Sequence, residues 1–182
     1  GWNLVQGEGL TSPGASGGVG VGDYVLRDLN RSKEAFVGRY RDDGEVDNGA
    51  FTVAAYRELP VWVAVEVLDW GMLTHLYSMS PRVAQVKVAD AVNLTSPQLE
   101  SWLKTLNIVR NIAAHHGRMY NRVYGQRPKL PRMGGYDGLL ECEAVMNRAF
   151  GQLTLVQYLL KVLNVGSIRL LPATLVDFPD GA

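Results

Sequence analysis

An all-α protein is what this sequence predicts, and three stretches predict it. Pro60 is followed by a segment, Val61 to Leu76, that is apolar on nearly every side. Thr95-Ser96-Pro97 opens a run whose apolar positions recur at helical spacing as far as Tyr124, and Asp137 precedes a similar run to about Leu163. Proline fits the first helical turn, where its missing N–H is not needed, and Ser, Thr or Asp can accept a hydrogen bond from the amides that a helix start leaves free. The expected architecture is a bundle of four to five helices forming one globular domain over residues 23–182, for which a chain with 47% hydrophobic residues has core enough.

Residues 1–22 are rich in Gly with Ser and Pro, too poor in apolar surface to offset the entropy of ordering, and read as a flexible tail. Ser16-Gly17-Gly18 within it lacks the following Gly-Lys-Ser/Thr of a phosphate loop. Asp23 is a candidate cap for a helix over roughly 24–40, with Leu26, Leu29, Phe36, Val37 and Tyr40 facing inward. The acidic run from Asp42 to Gly49 ends that helix as a solvated loop, since it lacks the ligand spacing and closing Glu of a calcium loop. The next helix runs from Pro60 to about Ser78. Inside it Glu66 is an anomaly, a carboxylate in an apolar setting that needs a partner. That partner is either Arg110 or His115, which would make Glu66 a supporting site residue, or any basic residue in a structural bridge. His75 reads as a capping or surface histidine. Ser80-Pro81 opens a short helix to about Val92, and the following one, if unbroken from Pro97 to Tyr124, spans about 42 Å. After a loop with Pro128, Pro131 and Gly134-Gly135, the last helix offers Leu140, Ala144, Phe150, Leu153 and Tyr158 to the core. The tail beyond is irregular, or briefly extended around Ser167 to Leu171.

Chemistry concentrates between Ser101 and Arg132. This stretch holds seven cations (Lys104, Arg110, Arg118, Arg122, Arg127, Lys129, Arg132) and no Asp or Glu, in a chain whose net charge is zero. Such an excess, interleaved with Tyr120 and Tyr124, suits a surface that meets phosphates; the plainer reading is a solvated basic face. At 100° per residue Asn111, His115, Arg118 and Arg122 form one polar stripe, with Arg110 one residue round from it and able to lean toward His115. The opposite side, with Leu106, Val109, Ala113 and Tyr120, would face the core. His116 points about 100° away from His115, so the two cannot share a metal without distorting the helix, and one of them is expected to be structural.

The run Arg110-Asn111-Ile112-Ala113-Ala114-His115-His116, with Arg118, Asn121-Arg122 and Pro128-Lys129-Leu130-Pro131 after it, resembles the signature of the bacterial abortive-infection (Abi-like) proteins. Leu59-Pro60-Val61-Trp62-Val63-Ala64-Val65-Glu66-Val67 with Gly71, and more weakly Arg31-Ser32-Lys33-Glu34-Ala35-Phe36, resemble the same family, so the likeness covers roughly residues 24–178. These proteins resemble in turn the HEPN ribonucleases, marked by an Arg and a His four to six residues apart. The resemblance implies a HEPN-like helical bundle, apparently lacking the N-terminal family helices that precede the Arg31 region in relatives. It also implies a homodimer in which two Arg-His sets face each other across a composite cleft.

An Arg and a His on a basic helix suit RNA cleavage without a metal. Histidine can move the proton of the 2′-hydroxyl or of the leaving oxygen, while arginine clamps the phosphate. The expectation is therefore a phage-defence endoribonuclease with Arg110 and His115 catalytic. Asn111, His116 and Glu66 would support them, and Arg118, Asn121, Arg122, Arg127 and Lys129 would bind RNA. A non-catalytic RNA-binding module and a protein-interaction domain are the alternatives. No cofactor and no metal are expected: His75, His115, His116 and Cys142 match no common zinc spacing, and Cys142 has no placed base for nucleophilic work. RNA is the expected partner, with room for an antitoxin or regulatory RNA besides a second copy. One cysteine, no secretory signal and no membrane-spanning run point to the cytoplasm; Asn93-Leu94-Thr95 is then a chance match to a glycosylation acceptor.

Overall fold

The computed structural model describes residues 21–132 and 137–177. The expectations for the Gly-rich tail up to residue 20 and for Gly134-Gly135 lie outside the described residues. The chain is helical, as its capping residues and periodicity predict: α1 Val21–Arg31, α2 Ala35–Gly38, α3 Val61–Val67, α4 Trp70–Met79, α5 Arg82–Asp90, α6 Ser96–Ala114, α7 Asp137–Glu141, α8 Ala149–Leu163 and α9 Leu170–Val176. It divides into two compact units, Gly1–Met79 and Ser80–Ala182.

In the first unit α1 packs on α3 and α4 around Val25, Leu29, Val37, Tyr56, Val63 and Met72, with Leu26, Phe36 and Tyr40 half-buried against them. The inward residues foreseen over 24–40 are thus inward, but the helix is broken. Ser32 closes α1 by donating its N–H to Asp28 O and Leu29 O, and α2 restarts at Ala35. Asp23 sits inside the first turn of α1 rather than capping it. The acidic loop contains a small hairpin, Val46–Asp47 against Ala50–Phe51, turned by Asn48 (φ 49°) and Gly49 (φ 80°). Two successive positive φ values are the conformation that Asn-Gly adopts at low cost. The long helix foreseen from Pro60 to Ser78 is likewise two. Leu68 is extended (ψ 139°), and Asp69 Oδ1 accepts the N–H of Met72 at 2.8 Å, which starts α4 afresh. Glu66 is exposed on α3, so the desolvation cost that demanded a partner does not arise. His75 is exposed on α4, as foreseen.

In the second unit α6 packs against α5 and α8. Thr95 is its N-cap, Pro97 lies in its first turn, and Gln98 Oε1 accepts the N–H of Thr95 at 2.8 Å to complete a capping box. The inward side of α6 carries Leu99, Trp102, Leu106 and Val109. Trp102 is fully buried, meets Tyr158 of α8 edge to face at 5.3 Å, and donates its indole N–H to Lys129 O at 2.9 Å. Tyr158 in turn donates its hydroxyl to Val92 O.

The helix foreseen over 137–163 is interrupted between α7 and α8, and its register shifts. Leu139, Met146, Gly151, Gln152 and Leu155 are the buried positions, while Ala144 and Phe150 are exposed. Gly151 explains the shift. A Cβ there would come within 2.6 Å of Met146 Cα and against the Val145 carbonyl, so the start of α8 lies on the backbone of the preceding turn. Gln152 follows it inward and donates its amide to Met146 O. Gly151→Ala is expected to cost about 3 kcal/mol in a denaturant titration, because both obstructing groups are backbone and cannot rotate away. Residues 170–176 form α9, where a tail that is irregular, or briefly extended around Ser167 to Leu171, was foreseen.

Candidate functional site

The site is built on the end of α6. The helix runs 19 residues and stops at Ala114, ten residues before the expected end at Tyr124. Its stop is a Schellman closure: His116 N–H donates to Ala113 O at 3.1 Å and Gly117 N–H to Ile112 O at 2.7 Å, with His116 in the left-handed region at φ 53°. Gly117 suits the close approach, since a Cβ there would stand 3.0 Å from both Ile112 O and Ile112 Cγ2 and crowd them. The single helical stripe Asn111, His115, Arg118, Arg122 is therefore not formed. Asn111 lies in the last turn of α6 and His115 at its C-cap, and Arg118 and Arg122 lie in the chain that follows Gly117.

The last turn of α6 carries Arg110 and Asn111, and His115 follows as its C-cap. Arg110 and His115 are five residues apart, about 140° around a helix axis. Arg110 Nη1 donates to Asn111 Oδ1 at 3.0 Å, so the guanidinium leans toward the side of Asn111. His115 caps the helix on that side, its N–H donating to Asn111 O at 3.1 Å. Asn111 therefore meets both residues, Arg110 through its side-chain oxygen and His115 through its main-chain carbonyl. All three are exposed.

His116 is exposed as well, and its structural part is to occupy the C′ position of the helix rather than to fill the core. A left-handed φ strains any side chain with a Cβ. His116→Gly is expected to raise stability by roughly 0.5–1 kcal/mol, and His116→Val to lower it by about the same, in thermal unfolding.

Beyond Gly117 a turn forms, with Arg122 N–H on Met119 O at 3.3 Å, Asn121 at φ 53°, and Arg122 Nη1 reaching Arg118 O at 3.5 Å. Arg118, Asn121 and Arg122 are exposed there. Tyr120, foreseen in the core, is 63% exposed. Tyr124 is buried in its place, its N–H on Asn147 O at 2.9 Å, and burial pushes its phenol above the ordinary tyrosine range while Arg122 opposes that shift.

The chain then returns along α6. Pro128 and Pro131 are buried while Lys129 and Arg132 are exposed, a period of three that fits a polyproline-type ridge. Lys129 anchors it: its N–H donates to Ser101 Oγ at 3.0 Å, and its carbonyl accepts from Trp102. Ser101 precedes His115 by fourteen residues, so the structure sets Arg127 and Lys129 about 21 Å along α6 from the Arg110–His115 end. The basic run is two patches, not one.

Lys104 leaves the tally of free charge, because it pairs with Glu100 at 2.6 Å. Arg110, Arg118, Arg122, Arg127, Lys129 and Arg132 are all exposed, and among the described residues none of them makes an ion pair with a carboxylate. Among the described residues no group of three His, Cys, Asp or Glu converges as metal ligands, and no helix is long and apolar enough to cross a membrane. The signal for the earlier stop is Gly117, which lies inside the run that periodicity carries on to Tyr124.

No curated protein and no solved structure matches this chain. The family described as Abi-like protein matches over residues 20–121, more than half of the chain, which takes in α1 to α6, the Arg110–His115 end and the turn through Asn121. The chain belongs to the Abi-like protein family.

Proposed function

We propose that this chain is an abortive-infection, phage-defence protein that acts as a metal-independent endoribonuclease, with Arg110 and His115 as its catalytic residues. Membership of the Abi-like family supports the defence role. The observation that carries the chemistry is the end of α6: an exposed histidine and an exposed arginine that both meet Asn111, followed by cations that make no ion pair with a carboxylate among the described residues. Arg110 binds the scissile phosphate and stabilises the charge that gathers on it. The His115 imidazole takes the proton of the adjacent 2′-hydroxyl, whose oxygen attacks phosphorus as the bond to the 5′ oxygen breaks. That leaving oxygen needs a proton, and one neutral imidazole cannot supply it in the same step. A homodimer provides a second His115 as the acid. Asn111 is then a positioning residue, and Arg118, Asn121 and Arg122 hold phosphates on either side.

The test is incubation of the purified chain with single-stranded RNA, beside His115→Ala. Cutting by the parent, lost in the variant while RNA binding persists, is the expected result. Binding without cutting by the parent would make the chain an RNA-binding module, and neither binding nor cutting would leave a protein-interaction domain. Arg118→Ala and Arg122→Ala should each weaken RNA binding across sequences and lower the salt slope by about one counterion. An unchanged slope in both variants would mean that these residues face protein.

A further inference from the structure

The second basic patch borders a cavity that the ribonuclease reading does not use. It has a volume of about 890 Å³, opens to solvent, and lies within the second unit between the Arg127–Arg132 ridge and the start of α6. That volume falls in the range of sites that enclose a small organic ligand. Three cations line it, Arg127, Lys129 and Arg132, and so do two carboxylates, Asp90 and Glu143. Among the described residues no ion pair joins either carboxylate to any of the three cations. Leu94, Leu140 and Met146 add apolar wall.

A track for a bare polyanion would not be expected to carry carboxylates, which repel phosphate. A site for a hydrophobic ligand would not be expected to carry three cations. The combination suits a ligand with an anionic end, hydroxyls and a flat apolar body, and we infer that this cavity binds a nucleotide. Arg127, Lys129 and Arg132 receive the phosphate, Asp90 or Glu143 accepts hydrogen bonds from the ribose hydroxyls, and the base lies on the apolar wall. The ridge is a stiff support for this: two buried prolines fix its course, and both backbone groups of Lys129 are tied to α6. At about 21 Å along α6 from His115, the site is separate from the proposed cleavage centre and does not depend on it. The nucleotide can be free or the phosphorylated end of an RNA strand.

Calorimetric titration of the intact chain with AMP, ATP, adenosine and inorganic phosphate tests this. A 5′-phosphorylated and a 5′-hydroxyl tetraribonucleotide are added in the His115→Ala background, so that a strand is not cut. Saturable binding of AMP or ATP, tighter than that of adenosine or phosphate alone, is expected for the free source. Binding of the 5′-phosphorylated tetranucleotide only is expected for the strand end. In either case Arg127→Ala and Lys129→Ala, both exposed and checked for folding by circular dichroism, should weaken binding by roughly tenfold each. Asp90→Asn or Glu143→Gln should weaken AMP but not 2′,3′-dideoxy-AMP. No saturable binding overturns the inference, as does binding unchanged by the two cation variants. Equal affinity for AMP and phosphate, or for the two tetranucleotides with no free nucleotide bound, overturns it as well, because an unspecific anion site gives that result. None of these readouts needs cleavage, so this site and the ribonuclease reading can fail separately.

Discussion

His115→Ala is expected to lower RNA cleavage by about 10²–10⁴-fold, the range that a positioned acid or base supplies, and to abolish toxicity in cells. Arg110→Ala should reach a similar loss by another route, since removing a charged donor from the developing phosphorane costs about 10²–10³-fold. Neither change should disturb the fold. Both side chains are exposed, and the closure of α6 runs through the backbone of His116 and Gly117 rather than through either side chain. Arg110→Lys separates geometry from charge: a lysine keeps the cation but has no planar fork to share between Asn111 and a phosphate, so it should recover only part of the rate. In a homodimer with a composite cleft each copy contributes one histidine. Mixing the parent with excess His115→Ala chain should then poison activity beyond simple dilution. The measurement is single-turnover cutting of a labelled single-stranded RNA, with folding checked by circular dichroism. A folded His115→Ala protein that cuts at the parent rate would end this assignment.

The helical class was legible because its signals are local and additive: Pro60, Pro81 and Pro97 at helix starts, Thr95 with Gln98 as a capping box, and long apolar periodicity between them. The interruptions were not read, although each has a cause that the residues display. Asp69 competes for an amide and starts α4, Asn48-Gly49 turns a hairpin, and Gly117 permits an approach to Ile112 that a Cβ would crowd. Periodicity cannot detect a stop of this kind. Polar residues at helical spacing beyond His115 read the same whether or not the helix continues, and this is why Arg118 and Arg122 were placed on a stripe that does not exist. The same error put Tyr120 in the core in place of Tyr124. Arg110 and Asn111 lie within the last turn of α6 and His115 caps it, so helical spacing describes these three and nothing beyond them. The cavity beside Arg127 was beyond reach for a different reason: its walls come from residues 90 to 146, and only tertiary packing through Ser101 and Trp102 assembles them.

Cleavage is expected to persist in EDTA and to stop when a single 2′-deoxy nucleotide stands just 5′ of the cut. If Arg110 and His115 act on the phosphate without a metal, the nucleophile has to come from the substrate. The neighbouring 2′-hydroxyl is the group that RNA offers and DNA lacks. Its attack conserves the number of bonds at phosphorus: the new bond to the 2′ oxygen replaces the bond to the 5′ oxygen, one proton leaves the hydroxyl, and one is delivered to the leaving group. The 5′ fragment must then end in a 2′,3′-cyclic phosphate and the 3′ fragment in a free 5′-hydroxyl, both readable by mass spectrometry. A two-metal hydrolysis gives the opposite pattern, because water attacks, the deoxy substitution is tolerated, and chelation abolishes the reaction. Loss of cutting in EDTA, or equal cutting of the deoxy-substituted strand, would mean that water is the nucleophile and that His115 does not activate the 2′-hydroxyl.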